Sequence, residues 1–282
     1  MPAWSDGYFT ANGLRLHYYR TGGDKPPVVI NHGAGDDGLC FSRVAKELEG
    51  DYDVILPDAR GHGKSDSGRG DYSYRARYND LNALIEALAI DKPVIGGHSM
   101  GADTCLHYAA VHPHKVRGVF LEDPPIKLTG ESYNIGQRPL DANNAGKLLA
   151  AMMKPYRLMP RFIGIRMARS MNPTYPDVEV IPWFNSKRIL SLDFLNSLPE
   201  LIFDHEQCIA AIKKITSPIL LFTGDVEKMA IVSPAAAQEV LKANERVDLV
   251  HLDGASHDIR RTQFEGYMRA LRGFLRRIYQ SE

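Results

Sequence analysis

The stretch VIGGHSMGADT, residues 94–104, constrains the fold more than any other part of the sequence. A short apolar run breaks into glycines around one serine, Ser99, and then continues into a pattern typical of a helix. In so tight a bend, side chains at the glycine positions would collide with the neighbouring strand or helix. We therefore expect a buried strand, a sharp turn and a helix. The Ser99 hydroxyl should be exposed at the start of that helix, where the helix dipole favours negative charge.

Strand and helix patterns alternate on both sides of this turn. Short runs that are apolar throughout predict buried strands, and the segments between them have the apolar spacing of helices. The strand-like runs lie at residues 13–19, 26–33, 53–65, 92–99, 116–125, 217–225 and 246–254. This alternation predicts a mainly parallel sheet that is covered by helices on both faces.

The alternation stops between residues 126 and 215. Methionine, proline, arginine and aromatic residues are frequent there, and the patterns are helical. We therefore predict an α/β core built from residues 1–125 and 216–282, and a helical cap, or lid, formed by residues 126–215.

Composition excludes several classes of partner. Lysine and arginine total 34, and so do aspartate and glutamate, so no general basic field attracts nucleic acid or an anionic membrane. Three widely spaced cysteines favour a reducing cytoplasm over a disulfide framework and give no support to a zinc site. The N-terminal stretch does not have the pattern of a signal peptide, and no apolar run approaches the roughly 20 residues that span a bilayer. We expect a cytoplasmic protein that acts on a small molecule, binds neither nucleic acid nor a membrane, and is compatible with a homodimer.

Four short motifs carry a resemblance to a known family. They are NHGAGD after the third strand of that family's order, DARGHGKSD after the fourth, GHSMG at the sharp turn, and GASHD after the last strand. In this order they resemble the α/β-hydrolase superfamily, and in particular its serine-nucleophile, capped esterase or lactonase-like members. The resemblance covers nearly the whole chain. It implies an eight-stranded, mostly parallel sheet flanked by helices, a helical cap, and chemistry that needs no cofactor and no metal.

The sequence offers a nucleophile, a base and two oxyanion donors. Ser99 fits the G-x-S-x-G nucleophile pattern between a strand and a helix. His257 follows the last strand through a short turn, which brings it to the same sheet edge as Ser99, and it matches the family's base. The backbone N–H after the nucleophile, that of Met100, is one oxyanion donor. By resemblance, the N–H of Ala34 is the other.

The acid that orients His257 is open among three carboxylates. Asp123 follows a strand and precedes two prolines, and it occupies the position where haloalkane dehalogenases and zearalenone hydrolase place their acid. Counting forward from Pro218 puts the family's usual acid at Glu227, whereas counting backward from the next helix puts it at Met229. Asp225, at the strand tip, is the third candidate. We take Asp123 as the first choice, with Glu227 and Asp225 as alternatives.

These residues predict a hydrolase that cleaves a carboxylic ester or lactone of a small, largely apolar substrate through an acyl-enzyme. Methionine and aromatic residues of the predicted cap, Trp183 among them, suit an apolar substrate pocket. Serine at the turn argues against dehalogenase and epoxide hydrolase chemistry, which this fold performs with aspartate. A C–C bond hydrolase, an acyltransferase and a weakly hydrolytic small-molecule receptor remain alternatives.

Overall fold

The computed structural model describes residues 4–128, 130–135, 138–200 and 205–280. In this part of the chain the strands are β1 (Ser5–Ala11), β2 (Leu14–Arg20), β3 (Pro27–Asn31), β4 (Asp53–Pro57), β5 (Val94–His98), β6 (Gly118–Glu122), β7 (Tyr133–Ile135), β8 (Arg138–Leu140), β9 (Ile219–Thr223) and β10 (Val247–His251). The α-helices are α1 (Ser42–Leu48), α2 (Tyr74–Ala87), α3 (Met100–Val111), α4 (Ala142–Met153), α5 (Arg161–Met171), α6 (Asp177–Ile189), α7 (Leu192–Ser197), α8 (His205–Ile212), α9 (Pro234–Ala243), α10 (Ile259–Thr262) and α11 (Phe264–Gln280). Short 3₁₀ turns lie at Gly38–Phe41, Lys154–Arg157, Leu198–Glu200 and Val226–Lys228.

Eight strands form one sheet in the order β1-β2-β4-β3-β5-β6-β9-β10. The first two pairings, β1 with β2 and β2 with β4, are antiparallel, and the other five are parallel. The carboxyl ends of β3, β5, β6, β9 and β10 therefore meet at one edge of the sheet, which is where ligands bind in open α/β sheets. The predicted fold class, a mostly parallel eight-stranded sheet flanked by helices, is confirmed.

Helices cover both faces of this sheet. Its central strands are therefore buried along their whole length. One face packs against apolar residues of α2, α3, α8 and α9. The other face packs against α1, α10 and α11. Helix α11 has the apolar spacing of an amphipathic helix. Tyr267, Leu271 and Phe274 lie on its buried side, and its arginines lie on the outer side.

Two elements fall outside the predicted alternation. Strand β1 buries only two of its residues, Phe9 and Ala11, so it has little of the apolar pattern of a buried strand. The hairpin of β7 and β8 lies within the segment for which helices alone are predicted. The rest of that segment contains α4 to α8 and adds no strand to the main sheet among the described residues. Its role as a cap stays a prediction at this point.

Candidate active site

Ser99 lies at the turn between β5 and α3. Its backbone has φ 50° and ψ −114°, a conformation that non-glycine residues rarely adopt and that is often found at functional sites. A Cβ atom at Gly97 or Gly101 would lie 2.3 Å or 2.2 Å from the carbonyl oxygen of Asn31 on the neighbouring strand. A Cβ atom at Gly96 would lie 2.2 Å from the ring of Phe120. The glycines are therefore required by the close approach of β3, β5 and α3, as the sequence predicts.

His257 lies in the loop after β10 and contacts Asp123, which lies directly after β6. The two atoms His257 Nδ1 and Asp123 Oδ2 are 2.6 Å apart. The Asp123 carboxylate is fully buried and also accepts hydrogen bonds from the backbone N–H groups of Ile231 (2.7 Å) and Val232 (3.0 Å). Because the carboxylate accepts a hydrogen bond from Nδ1–H, the proton of neutral His257 stays on Nδ1 and the Nε2 lone pair is left free to accept another.

The electrostatics around His257 favour its protonated form. Burial lowers the pKa of His257, but the hydrogen bond and the negative charge of Asp123 outweigh that effect and raise the pKa above its usual value. Asp258 and Glu122 add negative charge that acts in the same direction. This arrangement suits a group that must accept a proton and hold the resulting positive charge.

His98, the residue before Ser99, connects the two loops. The distance from its Nε2 to the carbonyl oxygen of His257 is 3.0 Å, and the two rings lie 4.4 Å apart. Burial, and then the charges of His257 and Arg260, lower the pKa of His98 well below its usual value. A neutral His98 therefore donates its Nε2–H to the His257 loop. This contact holds the serine turn and the histidine loop together at one edge of the sheet.

The two alternative acids lie elsewhere. Asp225 accepts a hydrogen bond from the backbone N–H of Gly254 at 2.9 Å, and its other oxygen lies 3.3 Å from Nε2 of His251. Glu227 is exposed in the 3₁₀ turn after β9. Of the three candidates, the structure brings only Asp123 into hydrogen-bond contact with His257.

Two buried histidines hold the loop that follows β3. Nε2 of His32 accepts from the backbone N–H of Ala59 at 3.0 Å, so its Nδ1–H donates to the carbonyl of Gly33 at 2.9 Å. Nε2 of His62 accepts from the N–H of Gly35 at 3.1 Å. Burial lowers the pKa of both histidines, which keeps them in the neutral form that these contacts need. The loop that contains Ala34 is therefore held rigidly next to the serine turn.

A group of buried charges surrounds these loops, and we call it the buried ion cluster. It consists of Asp36, Glu122, Glu179, Lys187, Arg260 and Arg261. These residues come from the loop after β3, the end of β6, helix α6 and helix α10. The cluster therefore joins the middle segment to the loops that carry Ala34, Asp123 and His257.

Asp36 is the centre of the cluster. Its carboxylate lies 2.6 Å from Nζ of Lys187, and its other oxygen lies 2.8 Å from Arg261 and 3.2 Å from Arg260. Burial acts to raise the pKa of Asp36, but the charges of Arg261, Lys187 and Arg260 outweigh it and hold the pKa well below the usual range. The sequence pattern did not predict this cluster. The pair of arginines three residues after His257 is the one signal that could have suggested it.

The apolar residues near the predicted oxyanion donors come from α4, α7 and the residues between α6 and α7. Met100 packs in one cluster with Met153, Leu190 and Phe194, and Ala34 lies against that cluster. Trp183, predicted to bind substrate, packs edge-to-face on Tyr156 at 5.6 Å and lies 4.7 Å from Nζ of Lys187. Its contacts thus place it in the small apolar cluster of α5 and α6. Met153 and Leu190 lie nearer than Trp183 to the loop after β3. The sequence pattern gave no reason to prefer these two residues over Trp183 as substrate contacts.

Three groups of side chains in the described residues have the composition of a metal site. In each group a carboxylate is already bound by the protein: Asp103 by Arg77, Asp36 by Lys187 and the arginines, and Asp225 by the N–H of Gly254. The protein's own donors therefore account for these carboxylates. Among the described helices, none combines the length and the apolar character needed to cross a membrane.

Comparison with known proteins identifies several relatives of this chain. A family described as alpha/beta hydrolase fold matches residues 26–146. An uncharacterized protein of Mycobacterium tuberculosis is 35% identical over 112 residues, which is 40% of this chain and 33% of that protein. N-formylmaleamate deformylase of Pseudomonas putida is 34% identical over 125 residues, 44% of this chain and 47% of the deformylase. The matches thus cover less than half of the length of these relatives.

Solved structures extend the likeness to almost the whole chain. An N-formylmaleamic acid deformylase from Pseudomonas putida S16 superposes with a TM-score of 0.76 and 23% identity, covering 95% of this chain and all (100%) of that one. An enol-lactonase from Burkholderia xenovorans LB400 superposes with a TM-score of 0.74 and 22% identity, covering 95% and 99%. The sheet order, the family match over residues 26–146 and these superpositions together show that the chain has the α/β-hydrolase fold.

Proposed function

We propose that the chain is a serine hydrolase that cleaves a carboxylic ester or lactone of a small, largely apolar substrate. The catalytic residues are Ser99 as nucleophile, His257 as base and Asp123 as the acid that orients it. The observation that supports this most is the 2.6 Å hydrogen bond from His257 Nδ1 to the fully buried Asp123 carboxylate. It fixes the tautomer in which Nε2 can take a proton from a hydroxyl.

The reaction has two halves. In the first, Ser99 Oγ attacks the carbonyl carbon, His257 Nε2 takes the hydroxyl proton and then passes it to the leaving alcohol, and an ester of Ser99 remains. In the second, His257 takes a proton from water, the hydroxide adds to the acyl carbon, and the acid leaves as Ser99 regains its proton. The backbone N–H groups of Ala34 and Met100 donate to the oxyanion in both halves, a contribution of several kcal/mol (about 3 per donor).

Residues 126–215 act as the cap in this proposal. The packing of Met153 and Leu190 near Ala34 and Met100 supports an apolar chamber above the oxyanion position. Such a chamber favours a small acyl group with little charge, and Trp183 would contact a larger substrate from α6. A cytoplasmic location remains part of the same proposal.

Cleavage of an N-acyl bond is the second candidate. It is favoured by the relative that is a deformylase, since the same acyl transfer then expels an amine in place of an alcohol. The comparison that separates the two is the ratio of kcat/KM for an ester and for an amide with the same acyl group.

The first experiment is turnover of a short p-nitrophenyl ester by the wild-type protein and by Ser99→Ala. We expect Ser99→Ala to lower kcat by roughly four to six orders of magnitude while its thermal transition stays unchanged. A fluorophosphonate should label the wild-type protein at Ser99 and leave Ser99→Ala unlabelled. Turnover retained by Ser99→Ala would remove the nucleophile from this proposal.

Two further measurements separate the related functions. A stoichiometric burst of nitrophenol followed by very slow release indicates a receptor that is acylated and seldom turns over. An ester product that forms when an alcohol is added indicates an acyltransferase. Multiple turnovers that yield only the free acid support the hydrolase.

A further inference from the structure

Positive charge is concentrated in one part of the chain. Between Asp141 and Asp177 the sequence contains six lysines and arginines and no acidic residue. The whole chain has 34 basic and 34 acidic residues, so the remainder has 28 basic against 34 acidic residues and a net charge of −6. The balanced total, which excludes a general basic field, therefore conceals a strongly polarised charge distribution.

The same stretch exposes large apolar side chains. Leu158 and Phe162 are 91% and 77% exposed, the highest values for large apolar residues in the described part of the chain. Ile163, beside Phe162, is 46% exposed. Apolar side chains this exposed and this close together are a frequent mark of a surface that binds something.

Packing determines which side of α5 faces outward. A Cβ atom at Gly164 would lie 2.0 Å from the ring of Phe184 on α6, and Ala168, one turn later, is fully buried in the same cluster. The opposite side of α5 therefore faces outward, and it carries Phe162, Ile163 and Arg166. Arg157, Leu158 and Arg161 extend it at the start of the helix. We call these six residues the docking face.

Three arginines of this face pair with no carboxylate in the described part of the chain. Arg169, near the end of α5, pairs with Asp177 at 2.7 Å. Arg157, Arg161 and Arg166 form no ion pair with any carboxylate among residues 4–128, 130–135, 138–200 and 205–280. Aromatic and aliphatic side chains therefore lie among guanidinium groups that pair with no described carboxylate. A partner that fits this face has both apolar and negatively charged groups.

We propose that the docking face binds the surface of an anionic phospholipid bilayer. Phe162 and Leu158 enter the boundary between headgroups and acyl chains, and the arginines lie among the lipid phosphates. The negative charge of the rest of the molecule turns this face toward the membrane. A second copy of the chain fits less well, because a symmetric contact would bring two sets of unpaired arginines together. This proposal revises the expectation, drawn from net charge alone, that no membrane is a partner.

Vesicle cosedimentation tests the proposal with the intact chain. Ser99→Ala serves as the parent protein, so lipid cleavage cannot alter the vesicles and the result is independent of the proposed reaction. We expect it to bind vesicles of equal parts phosphatidylglycerol and phosphatidylcholine, to bind pure phosphatidylcholine vesicles weakly, and to release as salt is raised. Changing Arg157, Arg161 and Arg166 to glutamine should weaken binding by roughly fivefold per residue, the fold-change that corresponds to about 1 kcal/mol for each cation near such a surface.

The apolar half is tested by Phe162→Ser with Leu158→Ser, which should reduce binding at least tenfold while the thermal transition stays unchanged. Val111→Ser and Arg276→Gln are matched controls, because both residues are exposed but lie on α3 and α11, away from the face. Binding that is equal for neutral and anionic vesicles, or that the controls weaken as much as the face variants, overturns the proposal. A concentration-dependent dimer that the face variants abolish, with no vesicle binding, assigns the face to a second copy of the chain.

Discussion

Charged side chains are buried and paired at the sheet edge that carries Ser99, whereas they are exposed to solvent on the outer side of α5. At the sheet edge the charges of the buried ion cluster are paired, and Asp36 alone contacts three cations. On the outer side of α5 the arginines are exposed beside apolar side chains. Burying the charges of the cluster costs free energy of desolvation, but their pairing holds the loops around Ser99 in one rigid geometry, as a catalytic site requires. The arrangement on the outer side of α5 leaves its interactions to be completed by something outside the chain.

The largest effect that would test this contrast comes from Asp123→Asn. An amide at this position cannot hold His257 in the required tautomer or stabilise its protonated form, so we expect kcat to fall by about 10⁴. Ester turnover under saturating substrate measures the effect. Asp225→Asn and Glu227→Gln are matched controls that should stay close to wild type. A large loss in either control, with Asp123→Asn active, would move the acid to the loop after β9.

The pH dependence of kcat/KM for wild type and Asp123→Asn is a second test of the contact between Asp123 and His257. In the proposed reaction neutral His257 is the base, so kcat/KM should rise with pH through the pKa of His257, which lies above its usual value. Asp123 is the main favourable contribution to that raised pKa. Loss of its charge should therefore shift the acidic limb of the profile to lower pH, a change that a purely structural defect does not produce.

The next largest effect should come from Lys187→Met, which breaks the buried pair between α6 and the loop after β3. Removing one partner of a buried pair typically costs about 3 to 5 kcal/mol of unfolding free energy. We expect a value near the lower limit, since Asp36 keeps Arg260 and Arg261 as partners. Denaturant unfolding measures it, and the double variant Asp36→Asn with Lys187→Met gives the coupling between the two residues. A coupling near zero would mean that the cluster does not join α6 to the core.

The serine turn could be predicted from the sequence because its requirements are local. Gly97 and Gly101 are required by close approach of backbone, and the strand, turn and helix follow one another within eleven residues. His257 was also predictable, since the loop after the last parallel strand must reach the same edge. The sheet followed from short apolar runs, apart from β1, whose two buried residues leave almost no pattern.

The acid and the ion cluster could not be derived in the same way. The choice among Asp123, Asp225 and Glu227 depends on how the loop after β9 folds, because its N–H groups at Ile231 and Val232 hold Asp123. That loop gives two different alignments when it is counted from its two ends. Lys187 and Asp36 are 151 residues apart, so no local spacing reports their contact.

A smaller effect is expected from Asp37, a buried carboxylate beside the cluster. Burial, and then the charges of Asp58 and Asp36, raise its pKa to about 7. A carboxyl with a raised pKa in the folded state makes stability fall as pH rises from its unfolded pKa toward 7. Among the described residues, Oδ1 of Asp37 is buried without a hydrogen-bond partner. Asp37→Asn should therefore stabilise the protein at mildly alkaline pH, within the range of about 1 to 3 kcal/mol that a buried, unsatisfied polar atom costs.

Thermal unfolding across pH checks this prediction. The gain should vanish at mildly acidic pH, where Asp37 is protonated in the wild type. A fall in stability should remain in the variant near neutral pH, because burial also raises the pKa of Glu122 to about 7. A gain that is the same at every pH would show that the charge of Asp37 is not the cause.

The smallest effect on stability is expected from breaking the exposed ion pair between Arg169 and Asp177, which can be compared with the buried pair between Lys187 and Asp36. Arg169 and Asp177 lie 2.7 Å apart, much like Lys187 and Asp36 at 2.6 Å, but the first pair is exposed to solvent and the second is buried. Solvent and salt screen the exposed pair, and two long side chains lose freedom to form it. Arg169→Ala should therefore change the thermal transition only slightly, and added salt should remove even that change, whereas the loss in Lys187→Met should persist at high salt. Equal, salt-sensitive losses in the two variants would mean that burial does not distinguish the ion pairs at the sheet edge from those on the outer surface of α5.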